Sequence, residues 1–126
     1  MELRVDVITQ AGISIVRCRG CIVFGQEVDE LRLIVLSQLK KQSHVVLNLG
    51  GIERLDSEGL AGIVGMYISA RNRGGDLKLA HLSQRSKDVV RVCRLDQIIE
   101  TYDSEADAVA SFQVSKAAVS GQKRSA

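Results

Sequence analysis

Apolar and polar residues alternate through the first part of the chain. Residues 3–9 alternate, residues 10–12 (Gln-Ala-Gly) are expected to make a turn, and residues 13–23 alternate again. A period of two residues is typical of strands with one buried face. Two such strands joined by a short turn predict an antiparallel hairpin at one edge of a sheet.

The spacing changes to a helical period in residues 26–42. Acidic residues stand near the start of this segment and Lys40 and Lys41 near its end, which suits the dipole of a helix. The pattern predicts an amphipathic helix. The side chains expected to pack on the sheet are Leu31, Ile34, Val35 and Leu39.

A strand, a tight turn and a long helix are predicted next. The apolar run at residues 45–49 favours a strand buried on both faces, and Gly50 and Gly51 permit a sharp turn at its end. Asp56 and Ser57 both offer the short side-chain oxygen that caps a helix, so a helix should begin within one residue of Asp56. The apolar stripe expected to face the sheet is Leu60, Ile63, Val64, Tyr67 and Ile68.

A second face of this helix carries mostly small side chains. Glycine inside a helix costs about 0.5–1 kcal/mol relative to alanine, so Gly62 and Gly65 require a reason. Two reasons stay open, namely close packing inside the domain and a docking surface for a partner. Cations and glycines at residues 71–75 favour the end of the helix there. The second face comprises Glu58, Ala61, Gly62, Gly65, Ser69 and Asn72.

The remainder alternates short strands with helices. We expect a strand at residues 76–82 and a helix from Ser83 to Cys93. A short apolar strand, Ile98-Ile99, is expected within residues 95–101, and a last helix begins at residues 103–106 and ends near residue 112 or 114. This order predicts a single α/β domain with a mixed sheet, an antiparallel N-terminal hairpin, parallel central strands and about four helices. The domain is assigned to residues 1–113, and the polar, basic tail at residues 114–126 is expected to be disordered.

Composition narrows the function classes. The 126 residues suffice for one domain, and 45% hydrophobic with 25% charged residues is ordinary for a soluble protein. A net charge of +2 and an aromatic fraction of 3% argue against nucleic-acid binding. No segment approaches roughly 18 consecutive apolar residues, and the N-terminus lacks a signal-peptide core. We therefore expect a cytoplasmic protein with no direct membrane insertion.

The candidates for chemistry are few. Cys18 and Cys21 spell C-x-x-C, but they lie in a strand rather than at the start of a helix. With Cys93 they are expected to be buried or half-buried thiols that hold no metal. His44 and His81 fall at strand ends, with no nucleophile elbow or phosphate-cradling loop nearby. The sequence thus predicts no enzyme, no metal site and no cofactor, and small-ligand binding has no motif behind it.

The segment from Leu55 to Leu60, reading LDSEGL, resembles the signature of STAS domains, in particular bacterial anti-sigma factor antagonists. The helix that it opens ends in Arg-Gly-Gly, and the segments downstream fit as well, so the resemblance covers residues 3 to about 113. It implies a small sheet with helices against it and a non-enzymatic role in partner switching. Cys21 and Val23 depart from acidic residues common in the family, which places any charge contact there in doubt.

The most informative departure is Glu58. In the resembled antagonists a serine or threonine at this position is phosphorylated by the partner, an anti-sigma factor of serine-kinase type. A carboxylate cannot accept that phosphate, and it imitates one only partly, with one charge and two oxygens. Three hypotheses stay open: Glu58 locks the domain in a phosphorylated-like state, it supports constitutive binding, or it is only a favourable first-turn residue. Ser57 is a possible substitute acceptor, although a capping role suits it better.

The resemblance places partner binding at the turn and on the exposed face of the helix that follows. The predicted partner-binding residues are Asp56, Ser57, Glu58, Gly59, Ala61, Gly62, Gly65 and Ser69. The alternative function is a STAS regulatory subunit of a membrane transporter, for example in lipid or anion transport.

Overall fold

The computed structural model describes residues 3–23 and 25–112. The elements, in chain order, are β1 (Leu3–Gln10), β2 (Ile13–Ile22), α1 (Gln26–Leu39), β3 (His44–Leu55), α2 (Ser57–Asn72), β4 (Asp76–Ala80), α3 (Gln84–Val92), a 3-10 turn (Leu95–Gln97) and β5 (Thr101–Tyr102). A further helix, α4, occupies residues 105–112. The tail at residues 114–126 and its boundary at 113 lie outside the described residues.

The five strands form one sheet in the order β1-β2-β3-β4-β5. The β1–β2 pair is antiparallel and the other pairs are parallel. Ala11 and Gly12, both with positive φ, make the turn of the hairpin, as two-residue hairpin turns require. The predicted α/β fold with a mixed sheet is therefore confirmed, and the hairpin lies at one edge of the sheet, with β1 outermost.

The sheet has a packed core on each face. Helices α1, α2 and α3 share the larger core with one set of alternating strand residues, including Val16 of β2 and Leu47 of β3. The intervening residues Ile15 and Val46 form a smaller core with α4 on the other face. The central strands are thus buried on both sides, as their continuous apolar composition predicts. Of the stripe predicted for α1, Leu31, Val35 and Leu39 are buried and Ile34 packs against them.

Helix α4 is fixed to the sheet at both of its ends. At its start, Arg17 donates two hydrogen bonds to Glu105, at 2.7 and 2.9 Å, and Asn48 donates a third at 2.6 Å. These bonds, those of Arg17 first, hold the pKa of Glu105 below its usual range. Near its end, the buried Lys78 ammonium donates to the Ser111 hydroxyl at 2.7 Å and lies 4.2 Å from the centre of the Phe112 ring.

The predicted turn at Gly50 and Gly51 is wrong, because β3 continues through both glycines to Leu55. A side chain at Gly51 would place its Cβ 2.4 Å from Cγ of Arg19, which lies across this strand. Gly50 donates its N–H to the Asn48 side chain at 2.8 Å. These glycines serve close approach within the strand, which is the other structural use of glycine in a sheet.

The predicted strand at residues 98–99 is also wrong. These residues follow the 3-10 turn, and the Ile99 N–H donates to the Leu95 carbonyl at 2.8 Å, which is a turn geometry. Ile99 is fully buried whereas Ile98 is 53% exposed. The strand itself is β5, two residues further on. Two boundaries also shift: α1 ends at Leu39 and β4 ends at Ala80. Cys93, expected to be buried or half-buried, is exposed.

Candidate partner-docking site

The turn between β3 and α2 is fixed by hydrogen bonds of Asp56 and by contact with the end of β2. Asp56 is the N-cap of α2, and its Oδ1 accepts from the Gly59 N–H at 2.8 Å. The Asp56 N–H donates to the Ile22 carbonyl at 3.4 Å. A Cβ on Gly59 would stand 2.1 Å from that same carbonyl oxygen, so only glycine fits. The predicted start of the helix and the capping role of Asp56 are confirmed.

Two residues of this turn differ from their predicted roles. Ser57 is the first residue of α2 and is exposed, so the expected capping role belongs to Asp56 and not to Ser57. Gly59 is buried against β2. Its function in the molecule is to fix the turn, and it offers no surface of its own to a partner.

Glu58 is exposed in the first turn of α2 and lines an open groove between α1 and α2. The groove has a volume of about 390 Å³. On its α1 wall the Arg32 guanidinium donates to the Asp29 carboxylate at 2.8 Å. The side chain of Glu58 forms no hydrogen bond or ion pair with any other described residue. The lining residues are Gly25, Val28, Asp29, Arg32, Glu58, Ala61 and Gly62.

The two glycines inside α2 have different explanations. A Cβ on Gly62 would lie 2.5 Å from Cγ1 of Val28, so Gly62 allows α1 and α2 to pack closely. A Cβ on Gly65 would meet no heavy atom within 4 Å. Packing within the domain therefore accounts for Gly62, and it gives no reason for glycine at position 65.

The solvent-facing line of α2 consists of Glu58, Ala61, Gly65, Ile68 and Asn72, all of which are exposed. We call these five residues the α2 outer face. No charged side chain occurs on it between its first and last members, although charged and polar residues are the usual cover of a solvent-facing helix surface. Ser69 and Gly62 are half-buried at its side. The partner-binding residues predicted from the sequence are thus brought to one end and one face of α2, except for buried Gly59.

Ile68 corrects the predicted core stripe. It is 51% exposed, whereas Met66 and Ala70 are fully buried in its place. Positions 58, 61, 65, 68 and 72 alternate in steps of three and four residues, which is the spacing of one helix face. That spacing could be read from the sequence, but Ile68 also fits the apolar stripe that begins at Leu60 and was assigned to it. The α1 wall of the groove had no local sequence signal and depends on how the two helices pack.

Other candidate chemistry is absent from the described residues. Cys18 and Cys21 are both buried, and burial raises the pKa of the Cys18 thiol to about 12. Within residues 3–23 and 25–112 no cluster of three or more metal-ligating side chains occurs. No helix in the same part of the chain is long and apolar enough to cross a membrane.

The arrangement of sheet, turn and helix coincides with a known domain. The model of the STAS domain matches residues 4–108. The chain belongs to the STAS domain family. This STAS protein is 24% identical over 115 residues to an anti-sigma F factor antagonist from Paenibacillus polymyxa, covering 90% of this chain and 98% of the relative.

Solved structures share the fold at low sequence identity. An anti-sigma factor antagonist from Mycobacterium paratuberculosis has a TM-score of 0.80 and 18% identity, over 89% of this chain and 95% of that one. A sulfate transporter family protein from Wolinella succinogenes has a TM-score of 0.73 and 18% identity, over 85% of this chain and 89% of that one. The fold of this STAS protein therefore occurs in proteins of both names.

Proposed function

We propose that this STAS protein is a non-enzymatic, cytoplasmic binding module that acts as an anti-sigma factor antagonist in partner-switching regulation of transcription. The partner is an anti-sigma factor of serine-kinase type, and it docks on the α2 outer face and the adjoining groove. The observation that carries the proposal is the exposure of Glu58, which has no hydrogen-bond or ion-pair partner among the described residues, at the position where the resembled antagonists carry their phosphorylatable residue.

Glu58 sets the state of this module. It cannot be phosphorylated, and it supplies one negative charge at a helix N-terminus, against roughly 1.5 to 2 for a phosphate. The apolar line that follows it on α2 favours contact with a partner, because an exposed apolar surface gains free energy when it is covered. We therefore propose constitutive docking, in which Glu58 contacts the partner directly, rather than a permanently unbound state. Ser57 is exposed, and phosphate on Ser57 of the natural chain after incubation with the partner and ATP would identify it as a substitute acceptor.

Affinity capture from a lysate of the source cell tests this proposal. The bait is the natural chain, beside Glu58→Ser and Glu58→Lys, with Glu53→Lys as a control that makes the same charge change at an exposed residue of β3. We expect the natural chain and Glu53→Lys to capture a kinase-type anti-sigma factor and Glu58→Lys to lose it. Capture by Glu58→Ser alone would instead support the phosphorylated-like, locked state.

A second candidate is a regulatory subunit of a membrane transporter. The observation that supports this candidate is the similarity in fold to a sulfate transporter family protein. Capture of permease or ATPase subunits by all four baits, with no anti-sigma factor, would support this candidate. The same result would overturn the sigma-pathway proposal.

A further inference from the structure

The two ends of the α2 outer face lie at equal distances from its central residue, Gly65. Helix α2 spans 16 residues, and Glu58 and Asn72 stand at equal sequence distances on either side of Gly65. An antiparallel copy of the helix placed on this face would therefore meet it in register. We propose that a second copy of this chain docks here, with the two α2 helices antiparallel across a two-fold axis at Gly65.

Shape supports this pairing. With about 100° of rotation per residue, Ala61 and Ile68 both lie about 40–60° to the same side of the line through Gly65. A two-fold axis perpendicular to both helices reverses the helix direction but leaves these residues on the same side. Ile68 of one copy therefore packs against Ala61 of the other, and Ala61 of the first against Ile68 of the second. A large exposed side chain thus meets a small one twice. The open space at Gly65 lets the two backbones approach at the axis.

Charge supports the same orientation. The antiparallel pairing brings Glu58 of one copy to the end of the other α2, where Arg73 is exposed. Arg73 forms no side-chain ion pair with another described residue, whereas the neighbouring Arg71 lies 3.7 Å from Asp76. Two Glu58–Arg73 pairs follow from the symmetry. A parallel pairing would instead place carboxylate against carboxylate and guanidinium against guanidinium.

The contact area sets the strength of the pairing. Stable interfaces bury roughly 1,200–2,000 Å² in total, and one pair of short helices covers less. We therefore expect a reversible dimer whose population depends on concentration. If the proposed function holds, this dimer covers Glu58 and competes with the anti-sigma factor, so self-association regulates the amount of free antagonist. The dimer itself does not depend on that function.

Site-specific crosslinking tests the geometry in a Cys93→Ser background, which removes the exposed thiol. Gly65→Cys places two thiols at the axis, where facing Cα atoms of closely packed helices lie within about 6 Å, as a disulfide requires. Asn72→Cys is the matched control, because the two copies of residue 72 would be about 21 Å apart along the helices. We expect an oxidised dimer from Gly65→Cys alone. No dimer from Gly65→Cys, or equal dimer from both variants, would overturn the proposal.

Charge reversal tests the pairing without a covalent bond. In sedimentation equilibrium, Glu58→Arg and Arg73→Glu should each raise the dimer dissociation constant about tenfold, and the two changes combined should restore it. Equal weakening in the combined variant would contradict the pairing. Binding of the serine-kinase-type anti-sigma factor to this chain is measured separately by titration. If the dimer predictions fail but the anti-sigma factor binds, only this inference is refuted. If the dimer predictions hold but the anti-sigma factor does not bind, only the proposed function is refuted.

Discussion

Replacing Gly65 with alanine should stabilise the protein. Alanine in the interior of a helix is favoured over glycine by about 0.5–1 kcal/mol, and the new methyl group would meet no heavy atom within 4 Å. The matched control is Gly62→Ala, which makes the same chemical change less than one turn away. There the methyl group would lie 2.5 Å from Cγ1 of Val28.

The difference between the two variants isolates the contact of α2 with α1. Both gain the same helix propensity, and only Gly62→Ala must displace Val28, whose branched side chain has little rotamer freedom. Overpacking of this kind costs about 1–3 kcal/mol, so the free energy of unfolding of Gly62→Ala should fall below that of Gly65→Ala by this amount.

Urea unfolding of the natural chain and both variants, followed by circular dichroism, measures these differences through the midpoint and the slope. The experiment is run at low protein concentration so that self-association contributes nothing. A loss of stability in Gly65→Ala, or equal midpoints for the two variants, would refute the assignment of Gly62 to packing and Gly65 to an open surface.

Three further predictions follow from the same contacts. Asp56→Ala should lower the free energy of unfolding by about 0.5–2 kcal/mol in urea titrations, because it removes the cap of α2; an unchanged value would contradict the cap. Ile68→Ala should change stability by less than about 0.5 kcal/mol, whereas Ile63→Ala, at a fully buried position, should cost about 2–5 kcal/mol, and similar losses would contradict the assigned faces. The lowered pKa of Glu105 means that its bond with Arg17 stabilises the fold above the ordinary pKa of 4.5 and is lost as the pH falls through the lowered value. Acid titrations of stability should therefore show a shallower decline below about pH 4.5 in Glu105→Gln than in the natural chain, and parallel curves would contradict that role.

Local patterns were enough to predict the architecture. Alternation identified the hairpin, and the period of apolar residues identified α1 and α2. The chemistry of Asp56 placed the start of α2 to within one residue. These features depend on contacts between residues close in sequence or on one element's own periodicity, which is why the sequence carries them.

The errors arose where tertiary contacts decide. Gly50 and Gly51 have the composition of a turn, but β3 continues through both, with Arg19 of β2 close to Gly51 and His81 close to Gly50. Ile98 and Ile99 have the composition of a strand, but they follow the 3-10 turn, where Ile98 is exposed to solvent and Ile99 is buried in the core. In the first case a neighbouring strand, and in the second the preceding 3-10 turn, overrides local propensity.

The candidate site was predicted only in part. The positions of Glu58, Ala61 and Gly65 on one surface followed from helical spacing. The groove could not be predicted, because its second wall comes from α1 and depends on the close approach of Val28 to Gly62. Ile68 was assigned to the core because it fits the helical spacing of the apolar stripe that begins at Leu60. Its exposure is what gives the α2 outer face its large apolar side chain.

The most direct test of the central claim is a calorimetric titration of a purified serine-kinase-type anti-sigma factor from the source organism with the natural chain, Glu58→Lys and Glu53→Lys. If Glu58 docks the partner, the natural chain and Glu53→Lys should bind with similar affinity. Glu58→Lys should then bind at least about tenfold more weakly, a difference of roughly 1.4 kcal/mol in binding free energy. Equal affinity of all three proteins, or stronger binding by Glu58→Lys, would contradict the claim that the α2 outer face is the docking site.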